Sequence, residues 1–281
     1  MSSDKKNFRE MEDGIHTDMT GRMSYGDYLN LDDILGAQKL VSAQHDEMLF
    51  IVIHQASELW LKLASHELAA AIAYVKGSDF PQTFKVVARV KQILNQLTQS
   101  WDILSTLTPV DYIKFRPSLG NASGFQSFGY RKLEFLLGNK NADLIKVHEG
   151  NVPLAEELRA LLHQPSLYDE VIRKLHESGF AIDSSLLERD VSTPYEPNES
   201  VKNAWLQIYR NAEKHFELYE LAEKLVDIED AFQQWRFKHM YTVHRIIGLR
   251  RGTGGSSGVP FLRKALETSF FPELLDLRTD L

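Results

Sequence analysis

His54 and His239 are the first residues to account for, because each stands in a stripe where a polar ring is expensive. His54 shares a helical face with Phe50, Ile51, Ser57 and Leu61, and His239 lies among Ile228, Phe232, Trp235, Val243 and Ile246. Both rings are expected to point inward. A buried imidazole must find hydrogen bonds or a metal, since an unsatisfied polar group costs about 1–3 kcal/mol. For either residue alone, a core histidine satisfied by a carbonyl or a water is the commoner outcome. Two such stripes on different long segments favour a shared site.

The letters narrow the metal chemistry. A di-iron centre in a helical bundle wants Glu three residues before His, and none of the ten histidines has it. A zinc hydrolase wants His-Glu-x-x-His, but His66-Glu67 is followed by Leu68, Ala69 and Ala70. Cysteine is absent, which removes thiolate haem, iron–sulfur clusters, thiol nucleophiles and disulfides. A macrocycle held by one axial imidazole between apolar helices survives, and haem is that group.

Tyr112 and Arg116 stand one helical turn apart and could bind a carboxylate, the guanidinium as a planar fork and the phenol as a further donor. An Arg with its stem packed and its head in water is the alternative. Residues 250–258 form a Gly/Ser-rich loop. It has no Gly-Lys-Ser/Thr, and Ser257 occupies the third glycine position of the dinucleotide pattern. Its glycines suit a lid that closes over a ligand, or a plain linker.

The elements that must position these residues are helical. Val41 to Lys76 reads as one long helix ending at Gly77, and Asp79 before Pro81 starts the next, with Phe84, Val87, Val90, Leu94, Leu97, Trp101 and Leu104 on one face. Thr108, Pro109 and Asp111 begin a short helix that stops at Arg116, because Pro117 disfavours helical geometry in the residue before it. Phe125 to Leu137 follows, closed by Gly138 and Asn139. From Glu199 to Ile247 the periodicity runs long enough to predict a bend or break near Val226 and Asp227. Gly248 ends it, and a last short helix starts at Val259. No alternating strand pattern or internal repeat is present. The class is all-α, bundle-like, with long core helices around the site.

The chain has 281 residues, 43% of them hydrophobic, which suits one compact domain spanning 1–281. A net charge of -7 offers no basic face to a phosphate backbone, so nucleic acid is a poor partner and a small ligand is expected. The polar N-terminus and the lack of any membrane-length apolar run lead to the expectation of a cytoplasmic protein without membrane contact.

Several longer blocks carry a resemblance. The runs His54-Gln55-Ala56-Ser57-Glu58-Leu59-Trp60, Ser123-Gly124-Phe125-Gln126-Ser127, Glu134-Phe135-Leu136-Leu137-Gly138-Asn139-Lys140 and Trp235-Arg236-Phe237-Lys238-His239-Met240, then Gly252 to Gly258, stand in this order. Together they resemble the tryptophan 2,3-dioxygenase family, across nearly the whole chain, with 141–225 placed by its flanks. The resemblance implies oxidative opening of the indole ring of L-tryptophan by O2 to N-formyl-L-kynurenine, with one haem b per subunit. It implies that His239 is the proximal iron ligand and that His54 sits on the distal side near the indole N–H. Arg116 and Tyr112 would hold the substrate carboxylate and Thr253 its ammonium, with Phe50 and Ile51 walling the indole. It further implies a homotetramer in which residues 1–40 contact a neighbouring subunit, Tyr25 and Tyr28 completing that neighbour's pocket. A related haem-dependent aromatic hydroxylase and a non-catalytic haem or tryptophan sensor are the alternatives.

Overall fold

The computed structural model describes residues 7–281, which divide into two units, the first ending at Leu40 and the second Val41–Leu281. The first unit carries two short helices, α1 (Tyr25–Leu29) and α2 (Leu31–Leu35). Ser24 caps α1 by a reciprocal pair of bonds with Asp27.

The second unit is built on three long helices, α3 (Glu47–Lys76), α4 (Phe80–Leu104) and, later in the chain, α11 (Phe216–Ile247). Between α4 and α11 lie α5 (Pro109–Phe115), α6 (Phe128–Leu137), α7 (Val152–Leu162), α8 (Leu167–Glu177), α9 (Ser184–Leu187) and α10 (Glu199–Arg210). Two short helices follow α11, α12 (Val259–Ala265) and α13 (Pro272–Asp276). Among the described residues there is no strand, as the periodicity predicts, and no helix is long and apolar enough to cross a membrane.

Helix α4 is the central element, packed along both α3 and α11. Its expected face is the buried one, with Val87, Val90, Leu94 and Leu97 fully enclosed. Each such side chain contributes roughly 1.5–3 kcal/mol of burial. Asp79 caps it as predicted, accepting from the Gln82 amide, with Pro81 in the first turn. The outer face of α3 is covered by α6 and α8.

Three boundaries differ from the sequence reading. The first long helix starts at Glu47, not Val41, because the buried Glu47 carboxylate accepts the amides of Val41 (2.7 Å) and Ser42 (2.8 Å) and the Ser42 hydroxyl. That holds the preceding residues in a turn against the first helical turn. The break in the Glu199–Ile247 stretch falls between α10 and α11, not near Val226 and Asp227. There Asn211 leaves helical geometry and its side chain donates to the Gln207 carbonyl. At Val226 and Asp227 the helix continues, with Asp227 paired to Lys91 of α4 at 2.7 Å. Finally, the α-helix before Pro117 ends at Phe115, but Arg116 keeps right-handed helical angles and the chain tightens into a 3-10 turn, Arg116–Leu119. A 3-10 turn also precedes α6, from Gly124 to Gln126.

A buried polar network ties α6 to α11. Arg236 is 4% exposed and donates to Glu134 (3.0 Å), the Tyr130 hydroxyl (3.2 Å) and the carbonyls of Ala265 and Thr268 (2.9 and 2.8 Å). Glu134 is also paired with Arg131. The Arg236 guanidinium and the Glu134 carboxylate are thus partnered, which is the condition for burying a charge at tolerable cost, while the Arg131 Nε is buried without a partner.

Candidate active site

Helix α3 presents Phe50 and Ile51 on one turn and His54 on the next. The Phe50 ring lies 4.2 Å from that of His54, 5.9 Å from that of Tyr112 and 5.6 Å from that of Phe115, so it joins α3 to α5. Ile51 is partly buried at the next position. The Nδ1 atom of His54 is 2.7 Å from the Phe50 carbonyl oxygen. A carbonyl has no proton to give, so Nδ1 carries the hydrogen and Nε2 is left as an acceptor. Burial pulls the His54 pKa below the usual imidazole value, partly countered by the Phe50 carbonyl and the charge of Glu58. The ring is neutral at neutral pH.

His239 lies on α11 in a frame of aromatic rings. Its ring stacks on Trp101 of α4, with centroids 4.6 Å apart and planes within 9°, and Trp235 lies one turn back at 6.4 Å. Burial, with a smaller lowering contribution from His54, brings the His239 pKa down to about 4, so the two imidazoles are near enough to interact electrostatically. Each keeps some accessible surface, yet protein surrounds both densely enough to hold them neutral.

Helix α5 supplies the polar end. Thr108 accepts from the Asp111 amide and starts the helix as its sequence predicts. Tyr112 is 8% exposed and Arg116 is bonded to its hydroxyl; burial raises the Tyr112 pKa, partly offset by the Arg116 charge. Among the described residues no carboxylate pairs with Arg116, and its Nε is buried without a partner. A guanidinium in that state is a receptor for an anion, rather than a head group resting in water.

The Gly/Ser-rich loop is pinned over this end by two hydrogen bonds. The Arg116 Nη2 donates to the Arg251 carbonyl at 2.8 Å, and the Thr253 hydroxyl donates to the Ala122 carbonyl at 2.5 Å. With its proton given to Ala122, the Thr253 oxygen keeps lone pairs for an ammonium. A Cβ on Gly254 would sit 2.7 Å from the Ser123 Cβ, and Gly258, at φ +71°, would bring a Cβ within 2.5 Å of the Arg250 carbonyl. Glycine at these two positions is what lets the loop lie this close.

Phe50, His54, Tyr112, Arg116 and Thr253 are thus joined by contacts or shared partners, and His239 is joined electrostatically to His54. Tyr25 and Tyr28 lie in the other unit, on α1, 75% and 73% exposed. Sequence reading took Trp101 and Trp235 as ordinary core and gave no role to Phe115, Ala122, Ser123 or Arg251. The Trp235 and His239 spacing of one turn was a visible signal for part of the aromatic frame; the partners of the loop had none.

Among the described residues no group of three or more His, Asp or Glu could hold a bare metal ion. No described residue hydrogen-bonds either ring nitrogen of His239. A neutral imidazole framed by aromatic rings suits a group that brings most of its own ligands and asks the protein for one nitrogen.

The chain was also set against known proteins. The family model described as tryptophan 2,3-dioxygenase matches residues 9–281. A protein of Shewanella woodyi named tryptophan 2,3-dioxygenase is 70% identical over 275 residues, 98% of this chain and 96% of that one. Proteins of the same name from Bacillus cereus and Geobacillus thermodenitrificans are 55% and 53% identical, over 96% and 99% of this chain and 97% and 99% of their own. Matched by the family model over residues 9–281 and by relatives over nearly the whole of both chains, the chain belongs to the tryptophan 2,3-dioxygenase family.

Proposed function

We propose that this chain opens the indole ring of L-tryptophan with O2, with one haem b per subunit, and releases N-formyl-L-kynurenine. One observation carries the reading. The buried, neutral imidazole of His54 lies against Phe50, which with Tyr112 leads to the Arg116 guanidinium, left without a carboxylate partner among the described residues, and a second neutral imidazole, His239 on α11, lies near enough to couple with His54. The family membership and the names of the relatives support the same chemistry.

In this reading His239 would hold haem through a ring nitrogen, and haem, when bound, would supply the ferrous iron chemistry toward O2. The chain's own residues orient the substrate. Arg116 and Tyr112 take its carboxylate, Thr253 accepts from its ammonium, and Phe50 and Ile51 wall the indole. The neutral His54 accepts from the indole N–H through Nε2. Its lowered pKa makes it a poor base for so weak an acid, so its work is positioning rather than obligatory proton removal. Both oxygen atoms enter the product and the substrate supplies the electrons, so no nicotinamide or flavin is required. The single domain assembles as a cytoplasmic homotetramer, with Tyr25 and Tyr28 completing a neighbour's pocket.

The test mixes haem-loaded, reduced protein with L-tryptophan in aerated buffer and follows the Soret band and the product together. Growth of a product carrying two added oxygen atoms is expected, together with loss of stable haem ligation in His239→Ala. A product with one added oxygen supports a hydroxylase, and spectral shifts without oxygen consumption support a sensor. A protein that takes up no haem returns both histidines to the ordinary core.

A further inference from the structure

We propose that Trp101 is a positioning residue for the axial imidazole: its indole, face to face with His239, sets the plane in which that ring presents its nitrogen to haem. The inference rests on the reading of His239 as the axial ligand and adds a residue that this reading does not include.

A histidine ring turns readily about its outer torsion, which has broad wells, so a ligand that must face one way needs an external constraint. Metal-bound histidines usually obtain it by donating their second ring N–H to a carbonyl, a carboxylate or a water. Among the described residues no backbone or side-chain group makes that bond to His239. What the ring has instead is a near-parallel stack, 4.6 Å and 9° from Trp101. Trp235 extends the stack, at 6.3 Å and 27° from Trp101 and 6.4 Å and 20° from His239.

The stack is anchored on both sides. Trp101 and Trp235 are each 6% exposed, one on α4 and one on α11. At the adjacent positions Lys238 pairs with Asp102 at 2.5 Å, clamping the same two helices at the same height. Trp101 therefore cannot slide along α11 without breaking this ion pair and the stack. An aromatic pair of this kind favours one relative orientation by about twofold to tenfold. Neither Trp101 nor Trp235 uses its indole nitrogen, since both are buried without a partner, so the flat face rather than the N–H is what each offers His239.

The test reads the imidazole plane directly. In the ferric, cyanide-bound holoprotein, the order and spread of the four haem methyl signals in the proton NMR spectrum depend on that plane. Trp101→Phe keeps a flat ring without the N–H, and Trp101→Met keeps bulk without a plane. The expected result is a wild-type methyl order in Trp101→Phe and a changed order or narrowed spread in Trp101→Met. A wild-type pattern in Trp101→Met overturns the inference, as does a Trp101→Phe pattern equal to that of Trp101→Met. Loss of haem from both Trp101→Met and a smaller Trp101→Leu, with Trp101→Phe unaffected, also overturns it, because the ring then builds the pocket rather than aiming the ligand. His239→Ala separates the two levels. If it keeps the wild-type haem spectrum, the axial assignment falls and this inference with it. If it loses ligation while Trp101→Met keeps the wild-type pattern, only this inference falls.

Discussion

Gly254→Ala is the smallest change that should disable the loop while leaving every proposed binding group in place. The added methyl would stand 2.7 Å from the Cβ and 2.9 Å from the Oγ of Ser123, distances at which one side must move. Ser123 is not free to yield, because its side chain accepts from the Phe125 amide and caps the turn before α6. Overpacking of this kind costs about 1–3 kcal/mol. The penalty falls on the closed loop alone, because the clash exists only while Gly254 lies on Ser123. Among the described residues two hydrogen bonds hold the loop there, Arg116 to the Arg251 carbonyl and Thr253 to the Ala122 carbonyl. Apparent affinity scales with the population of the competent form, so KM for L-tryptophan should rise about 5- to 150-fold. The assay is steady-state turnover of haem-loaded protein, with the Soret band and thermal midpoint as controls that should not move. Adding Ser123→Gly should restore much of the affinity, since glycine replaces a serine cap at a cost of only a few tenths of a kcal/mol. An unchanged KM in Gly254→Ala, or no rescue in the double variant, would refute the closed-loop argument.

Arg116→Ala removes a charge-assisted contact worth about 1.5–3 kcal/mol, so KM should rise roughly 10- to 150-fold with a smaller effect on kcat; unchanged affinity would mean that the guanidinium does not meet substrate. His54 accepts only while neutral, and its pKa lies below the ordinary imidazole value. KM should therefore be flat above about pH 6.5 and climb as pH falls through the lowered pKa. His54→Ala should keep measurable turnover at a raised KM without that acid limb, and complete loss of turnover with haem still bound would contradict a positioning role. Arg236→Ala takes its interhelical ion pair from the buried Glu134 and leaves the Ala265 carbonyl without this donor, while Thr268 keeps Gln233, and this should cost about 3–5 kcal/mol in chemical denaturation. A cost under about 1 kcal/mol there would mean that water replaces the guanidinium.

The sequence made visible what depends on near neighbours. Asp79 and Pro81 set the start of α4, Thr108 that of α5, and Gly138 and Gly248 the ends of α6 and α11, because each acts within a turn of its own position. The two histidines were legible for the same reason: an imidazole in an apolar stripe is conspicuous at helical spacing. Glu47 shows where this ends. An acidic residue near a helix start reads as a first-turn charge, and nothing in its letters says that it will turn back to hold Val41 and Ser42. The misplaced break is a second case. Apolar periodicity runs through both Asn211 and Asp227, and only the ion pair from Lys91, 136 residues earlier, shows that the helix passes Asp227 intact. Arg116 and the Arg251 carbonyl are separated by 135 residues and joined through a backbone oxygen, which every residue possesses, so no side-chain pattern could have announced the contact.

That last contact gains its meaning from how the loop is hung. The chain leaves α11 at Gly248, whose φ of +63° turns it out of the helix. It is fastened back to the same helix just beyond α12. Glu229 accepts the amides of Phe270 (2.7 Å) and Phe271 (3.1 Å), Gln233 donates to the Thr268 carbonyl, and Arg236 holds the carbonyls of Ala265 and Thr268. These three anchors occupy successive turns of α11, and His239 lies on the next. The helix that carries the proposed axial ligand therefore also carries both moorings of the loop that bears Thr253. With its moorings fixed, the loop has few ways to exchange contacts except against α5 and the 122–123 segment, where two hydrogen bonds and one glycine contact hold it. Binding energy from an amino-acid substrate needs only to act on that small latch. The packed helices α3, α4 and α11 can stay as rigid as their packing makes them.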